Sequence, residues 1–284
     1  MIADSELILN ADGSIYHLNL LPEDLASTII FVGDPDRVGE VSCYFDRIDV
    51  KKGKREFITH TGVLRNKRIS VISTGIGTDN IDIVFNEIDA LVNIDFATRT
   101  LKEQLTSLDI IRIGTSGSIQ GNIRMGTILA SEYAIGFDAL MQYYVKNYSE
   151  EEKDIQFTVI NHFGTLGFTP YIGSASKRLL DQIAGELPKG ITMTAPGFYG
   201  PQGRSMRTRN VYPDLIQKAN AFQQQGRSIT NLEMETAGIY ALANMFGHHA
   251  LSINAILASR LHDAFADNPK EIIDRAIRFV LERI

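Results

Sequence analysis

The stretch Asp109-Ile-Ile-Arg-Ile-Gly-Thr-Ser-Gly-Ser-Ile-Gln120 decides how the chain is read. Ile110 to Ile113 has the apolar run of a buried strand, interrupted by one arginine. A parallel sheet normally takes Val or Leu at such a position, and arginine is rarely buried without a partner. Arg112 therefore either faces a ligand at the strand's C-terminal mouth or is paired inside. Gly114-Thr115-Ser116-Gly117 follows and reads as a glycine turn with free N–H groups and two hydroxyls. A guanidinium beside such donors suits an oxyanion, phosphate above all. An ordinary strand exit with a surface arginine would look the same.

Similar junctions recur to either side. Thr28 to Val32 is a short apolar strand, followed at once by Gly33-Asp-Pro-Asp-Arg37. Asp34 or Asp36 can cap a helix and Pro35 fits its first turn. Arg37 then lies where the helix dipole disfavours a cation, and an anion or a surface ion pair would account for it. Ile69 to Ser73 is a further strand, ending in Thr74-Gly-Ile-Gly77. With no third glycine and no acidic residue at the end of a following strand, a dinucleotide fingerprint is discounted. Apolar spacing predicts a long crossover helix over 81–105. Residues 139–154 read as a polar surface excursion, 174–187 as a helix, and Ile191 to Ala195 as a strand.

The loop Pro196 to Arg204 carries Phe198, Tyr199, Gln202 and Arg204, a set able to stack on a flat heterocycle and hydrogen-bond its edge. A helix is predicted from Asn231 to Phe246, with Glu233 and Glu235 around its start. It is apolar enough to be buried, so at least one carboxylate needs an internal partner, either sugar hydroxyls or a core arginine. Ala250 to Ala258 reads as a strand with Arg260 at its mouth, and 268–284 as an amphipathic helix.

Composition sets the outer limits. The chain has 284 residues, a formal net charge of -6, 44% hydrophobic residues and one cysteine, Cys43. It is long enough for a sizeable core. No basic run suggests nucleic acid, no internal disulfide or cysteine zinc cluster can form, and no apolar stretch approaches a membrane span. With no signal-like start, a soluble cytoplasmic protein is expected. Strands and helices alternate without an internal linker, which predicts one α/β domain over 1–284 with a mainly parallel or mixed sheet. Its ligand should lie at the strands' C-terminal ends. Gly33, Arg112, Phe198 and Arg260 all fall there.

From about Tyr16 onward the pieces resemble, in order, the nucleoside phosphorylase family that includes uridine phosphorylases and hexameric purine nucleoside phosphorylases. The resemblance is carried by His17-Leu-Asn-Leu20, Gly33-Asp-Pro-Asp-Arg37, Arg55-Glu-Phe57, Ser73-Thr-Gly-Ile-Gly77, Arg112-Ile-Gly-Thr-Ser-Gly117 and Glu233-Met-Glu235. The 198–204 loop resembles the uridine branch, where a Gln-x-Arg pair holds the pyrimidine. The resemblance implies a three-layer α/β/α domain around a mixed sheet, and phosphorolysis of a nucleoside, with inorganic phosphate as co-substrate and no cofactor. It further implies that Gly33, Arg37, Arg112 and Thr115 bind phosphate, joined by Arg55 of a neighbouring chain. Met234 and Glu235 would hold the ribose, with His17 of a neighbour at the 5′-hydroxyl. Gly117, Phe198, Gln202 and Arg204 would hold the base. Arg112, Gln202 and Arg204 would carry the chemistry, in a homodimer or a hexamer.

Two departures from the family pattern stand out. Thr78-Asp-Asn80 replaces a small, proline-containing turn, so a monovalent cation such as K+ near Glu56, Ile76 and Asn80, known in bacterial members, is in doubt; no other metal is implied. The segments 88–108 and 139–168 look like insertions able to alter hexamer contacts. The late strand, ending Ile256-Leu-Ala-Ser-Arg260, lacks the Asp that purine enzymes use, and Asp263 lies too far along. The purine branch, a water-using nucleosidase and a non-catalytic nucleoside-binding protein are the competing readings.

Overall fold

Strand β1 (Thr28–Val32) is buried at every position, and its side chains divide by parity. Ile29 and Phe31 pack into one apolar cluster, Ile30 and Val32 into another. A strand that feeds two cores must have cover on both faces. The structure is a computed structural model that describes residues 1–284.

After β1 come α1 (Pro35–Ser42), the hairpin β2 (Arg47–Lys54) and β3 (Phe57–Leu64), then β4 (Lys67–Ser73) and α2 (Thr78–Asn93). A two-stranded ribbon follows, β5 (Ile94–Asp95) and β6 (Thr100–Leu101), then the long strands β7 (Asp109–Ser118) and β8 (Ile128–Gly136). Next are α3 (Glu150–Phe163), β9 (Tyr171–Ser174), α4 (Lys177–Ala184) and β10 (Lys189–Thr194). The chain ends through α5 (Leu215–Ala221), β11 (Gln223–Gln224), β12 (Arg227–Glu233), α6 (Thr236–Phe246), β13 (His249–Ser259), β14 (Ala264–Phe265) and α7 (Pro269–Leu281).

Helices α2 and α6 cover one face through Ile81, Val84, Phe85 and Ile239, while α1, α4 and α7 cover the other through Val38, Leu179 and Ile277. Between them lies one mixed sheet in the order β11-β12-β10-β8-β13-β7-β1-β4-β3-β2. β1 is parallel to β4 and β7, and β13 is parallel to β7 but antiparallel to β8. β12 also pairs antiparallel with β7, Leu232 opposite Gly117 and Asn231 opposite Ser118. That pairing closes β7, β13, β8, β10 and β12 into a hydrogen-bonded ring. A third cluster, around Phe137, Phe163 and Phe222, seats α3 and α5.

Several expectations are corrected. The glycine stretch 114–117 is not a turn: β7 runs unbroken to Ser118. The helix predicted over 81–105 stops at Asn93, where the side chain of Asn93 accepts the Thr106 N–H at 2.7 Å and the ribbon takes over. Asn231 to Glu233 belongs to a strand, and the helix starts at Thr236. Ser174 likewise ends a strand, with α4 starting at Lys177. The polar run 139–154 does lie over the surface, mostly exposed, but it is pinned there. Lys146 pairs with Glu152 at 2.9 Å with side chains only 2% and 4% exposed, and Ser149 and Glu152 form a capping box for α3.

Candidate active site

Gly33, Phe198 and Arg260 follow the ends of β1, β10 and β13 as expected, but Arg112 is the fourth residue of β7, inside the strand and not at its mouth. Asp34 caps α1 by accepting the Asp36 N–H, with Pro35 in the first turn, which places Arg37 beside Gly33 and the sheet edge. The Arg37 Nε–H is buried and has no acceptor within the chain. Burial and the charge of nearby Arg112 hold its guanidinium below the usual arginine range, offset in part by Asp34. A buried donor on a cation, left open beside a second cation, describes an anion site.

Arg112 answers the question its strand posed, for it is paired inside. Its Nη2 donates to Glu235 Oε2 at 2.5 Å and lies 3.0 Å from Glu233 Oε2, with all three side chains at most 7% exposed. Its Nη1 donates to Asn254 Oδ1 at 3.2 Å and to Ser252 Oγ at 3.5 Å. Gly114 exists for this guanidinium: a Cβ there would overlap Nη1. Burial works against the charge of Arg112, but Glu233 and Glu235 outweigh it and lift the group above its ordinary value. Glu235 is pushed up by burial and by Glu233, against the pull of Arg112.

Glu233 ends β12 and accepts from the N–H groups of Glu235 and Thr236 and from Thr194 Oγ1 at 2.6 Å, so it caps α6 from inside. Glu235 accepts the Gly77 N–H at 2.9 Å on its other oxygen. Gly77 sits at φ +97, open to glycine alone in practice, and so aims that N–H at the carboxylate. Each Glu235 oxygen has thus accepted one hydrogen bond and keeps one free lone pair. Met234 is half-buried between the two glutamates, and Thr115 is half-buried on β7.

The loop after β10 forms a second group. Gln202 is buried, and its side-chain oxygen accepts from Arg204 Nη1 at 2.7 Å. The Arg204 guanidinium lies 3.8 Å over the Phe198 ring, itself 52% exposed. Burial and neighbouring Arg260 hold Arg204 down to about 10. Arg260 donates to the Gln202 carbonyl oxygen at 2.9 Å, and its stem covers Gly117, where a Cβ would sit 3.4 Å from Arg260 Cγ. The Arg260 stem thus seats this loop on β7 at Gly117, the strand that also carries Arg112.

His17 and Arg55 do not join this cluster within one chain. His17 Nδ1 lies 2.7 Å from Glu87 Oε1, in a groove of about 510 Å³ lined by Ile8, Tyr16, Asp82, Asn86 and Tyr144. Arg55 is exposed at the β2–β3 turn with φ +58. The two lie on one edge of the molecule: the His17 ring is 6.2 Å from that of Phe57, two residues past Arg55. At Asn80 the amide nitrogen donates to the Ile76 carbonyl at 3.4 Å, so that carbonyl is already engaged. No group of three or more His, Cys, Asp or Glu side chains is arranged to hold a metal. Sequence reasoning missed Asn254, Ser252 and Thr194, which look like ordinary strand residues in an apolar run.

Fold and site together define an enzyme-like centre: a buried cation–carboxylate cluster, an open anion site and an aromatic–amide–guanidinium loop at the ends of a mixed sheet. The chain belongs to the phosphorylase superfamily, whose model matches residues 27–284. It is 29% identical over 256 residues to the uridine phosphorylase of Thermococcus kodakarensis, covering 89% of this chain and 80% of that protein. It is 25% identical over 275 residues to that of Escherichia coli, covering 94% and 96%. Among solved structures, a Trypanosoma brucei nucleoside phosphorylase described as showing uridine phosphorylase activity matches with a TM-score of 0.89, at 29% identity over 98% of each chain.

Proposed function

We propose that the chain is a uridine phosphorylase, a pentosyltransferase that reversibly converts uridine and phosphate to uracil and ribose 1-phosphate. The observation that carries this reading is the buried, unpartnered Arg37 Nε–H beside Arg112. Water-using hydrolysis has no need for a second guanidinium there. In this reading phosphate occupies the space between Gly33, Arg37, Arg112 and Thr115. The two free lone pairs of Glu235 accept the ribose 2′- and 3′-hydroxyls, with Met234 against the sugar. The base lies against Gly117 and Phe198, where Gln202 and Arg204 meet its edge. Because the Gln202 oxygen already accepts from Arg204, its amide nitrogen is the group left to donate to a uracil carbonyl.

The chemistry asks for little more. Phosphate attacks the anomeric carbon as the glycosidic bond breaks, the sugar becomes cation-like, and uracil leaves with the electron pair. Positioning of phosphate accounts for one part of the acceleration. Donors aimed at the departing anion account for the other. Half-buried His17 and exposed Arg55, close together on one edge, would complete the site of a second copy, making a homodimer the smallest active unit and a hexamer the larger assembly. The same reading assigns one catalytic domain over 1–284, cytoplasmic location and a role in pyrimidine salvage. No helix is long and apolar enough to cross a membrane.

The test is uracil release from uridine with and without inorganic phosphate, with inosine in parallel. Phosphate-dependent cleavage of uridine alone is expected. Cleavage of inosine instead would mean that the 198–204 loop is misread, cleavage without phosphate would mean a nucleosidase, and no cleavage would leave a nucleoside-binding protein.

A further inference from the structure

The five ring strands send six polar side chains, two of them from β7, into a buried chain of hydrogen bonds. Arg112 Nη1 donates to Asn254 Oδ1 on β13 at 3.2 Å, and Asn254 Nδ2 contacts Ser131 Oγ on β8 at 3.0 Å. Ser131 Oγ lies 2.5 Å from Thr192 Oγ1 on β10, which lies 2.9 Å from Asn231 Oδ1 on β12. Asn231 Nδ2 reaches Ser116 Oγ, back on β7, at 2.9 Å. All six residues are buried. A guanidinium has only donors, so Asn254 must turn its oxygen to Arg112 and its N–H to Ser131. With Thr192 donating to Asn231 Oδ1, Ser131 gives its own proton to Thr192. The guanidinium by itself sets the Asn254 amide in one orientation, and Ser131 accepts from it.

The consequence falls on Arg112. Its terminal nitrogens face Asn254 and Ser252 on one side and Glu233 and Glu235 on the other, while its Nε–H makes no hydrogen bond within the chain. We propose that Asn254 is a positioning residue that fixes the plane of the Arg112 guanidinium, so that the free Nε–H is presented to phosphate. Glu235 and Glu233 hold one corner of the guanidinium. A single corner leaves it free to pivot, and Asn254 removes that freedom. This inference rests on the phosphate role proposed above for Arg112.

Steady-state kinetics on the intact oligomer test it, with inorganic phosphate and uridine varied in turn. Losing a buried hydrogen bond to a charged group predicts that Asn254→Ala raises the KM for phosphate about tenfold or more. The KM for uridine should change less than about twofold, since Glu235 keeps its contacts. Asn254→Asp keeps an oxygen facing Arg112, and Ser131 can turn its hydroxyl to the second oxygen, so it should restore most of the phosphate KM. Should Asn254→Ala fail to fold, Asn254→Thr, which can reach Ser131 but falls short of Arg112, carries the same test. An unchanged phosphate KM, or equal increases for both substrates, overturns the positioning role. Arg112→Lys separates the two layers: if it too leaves the phosphate KM unchanged, the phosphate reading of Arg112 itself fails.

Discussion

Replacing Arg112 by Met should unfold the protein more readily, and the size and pH dependence of that effect follow from the site. Methionine fills nearly the same space, so little cavity is created. What is lost is the guanidinium that touches both Glu233 and Glu235, carboxylates whose side chains are 2% and 7% exposed. Breaking a buried ion pair from one side costs about 3–5 kcal/mol, because the partner charge is left uncompensated. At roughly 2–4 °C per kcal/mol for a chain of this size, Tm should fall on the order of 10 °C. Glu235 already titrates above its ordinary value through burial and Glu233, and Arg112 is what opposes them. Without Arg112 it moves further up. For an acid raised in the folded state, the stabilising contribution is complete below its unfolded value and is lost as pH rises through its folded value. The deficit should therefore be greatest near pH 8 and shrink toward pH 5. Adding Glu235→Gln to Arg112→Met removes one of the stranded charges and should recover at least about 1 kcal/mol, a non-additive result. Scanning calorimetry or dye-monitored melting from pH 5 to 8 reads the parent, both single variants and the double. A Tm within about 2 °C of the parent at pH 8, or a deficit that deepens on acidification, would refute the reasoning.

Other outcomes follow from the same structure. Arg204→Ala should lower kcat on uridine by about a hundredfold or more, as for loss of a donor to developing negative charge, while leaving Tm nearly unchanged, because the loop is exposed around it; near-normal turnover would remove Arg204 from the base site. Gly114→Ala puts a methyl group where Arg112 Nη1 now lies, so phosphate-dependent turnover should be lost; a fully active variant would show that the guanidinium works from another position. Lys146→Met strands Glu152 and should cost about 3–5 kcal/mol with the uridine KM unchanged, measured by melting and kinetics together; a silent substitution would mean that the 139–168 segment is not held by this pair.

The sequence carried the frame clearly because burial on both faces leaves a plain trace. Thr28 to Val32 is an uninterrupted apolar run and forms β1 to the residue. Asp34 and Pro35 before α1, and the apolar run from Ala250, were legible for the same reason: cap chemistry and two-sided burial are local properties. The long crossover helix failed because apolar spacing persists past Asn93, where the side-chain bond to Thr106 wins over periodicity. The centre was legible only in part. That Arg112 needed a partner could be argued from one residue, and so could the need of Glu233 or Glu235 for one. That these three meet could not, since Arg112 and Glu235 lie 123 positions apart and only the β12–β7 pairing brings them together. The glycines misled for a related reason. Gly114 reads as a turn when seen along the chain, whereas its lack of a Cβ serves a side chain two residues back. Least legible were Ser131, Thr192, Asn231 and Asn254, polar residues set among apolar neighbours in their strands. Alone, each costs stability by being buried. They are tolerated because ring closure gives each of them a hydrogen-bond partner on a neighbouring strand, a condition set by five strands at once and visible in none of them separately.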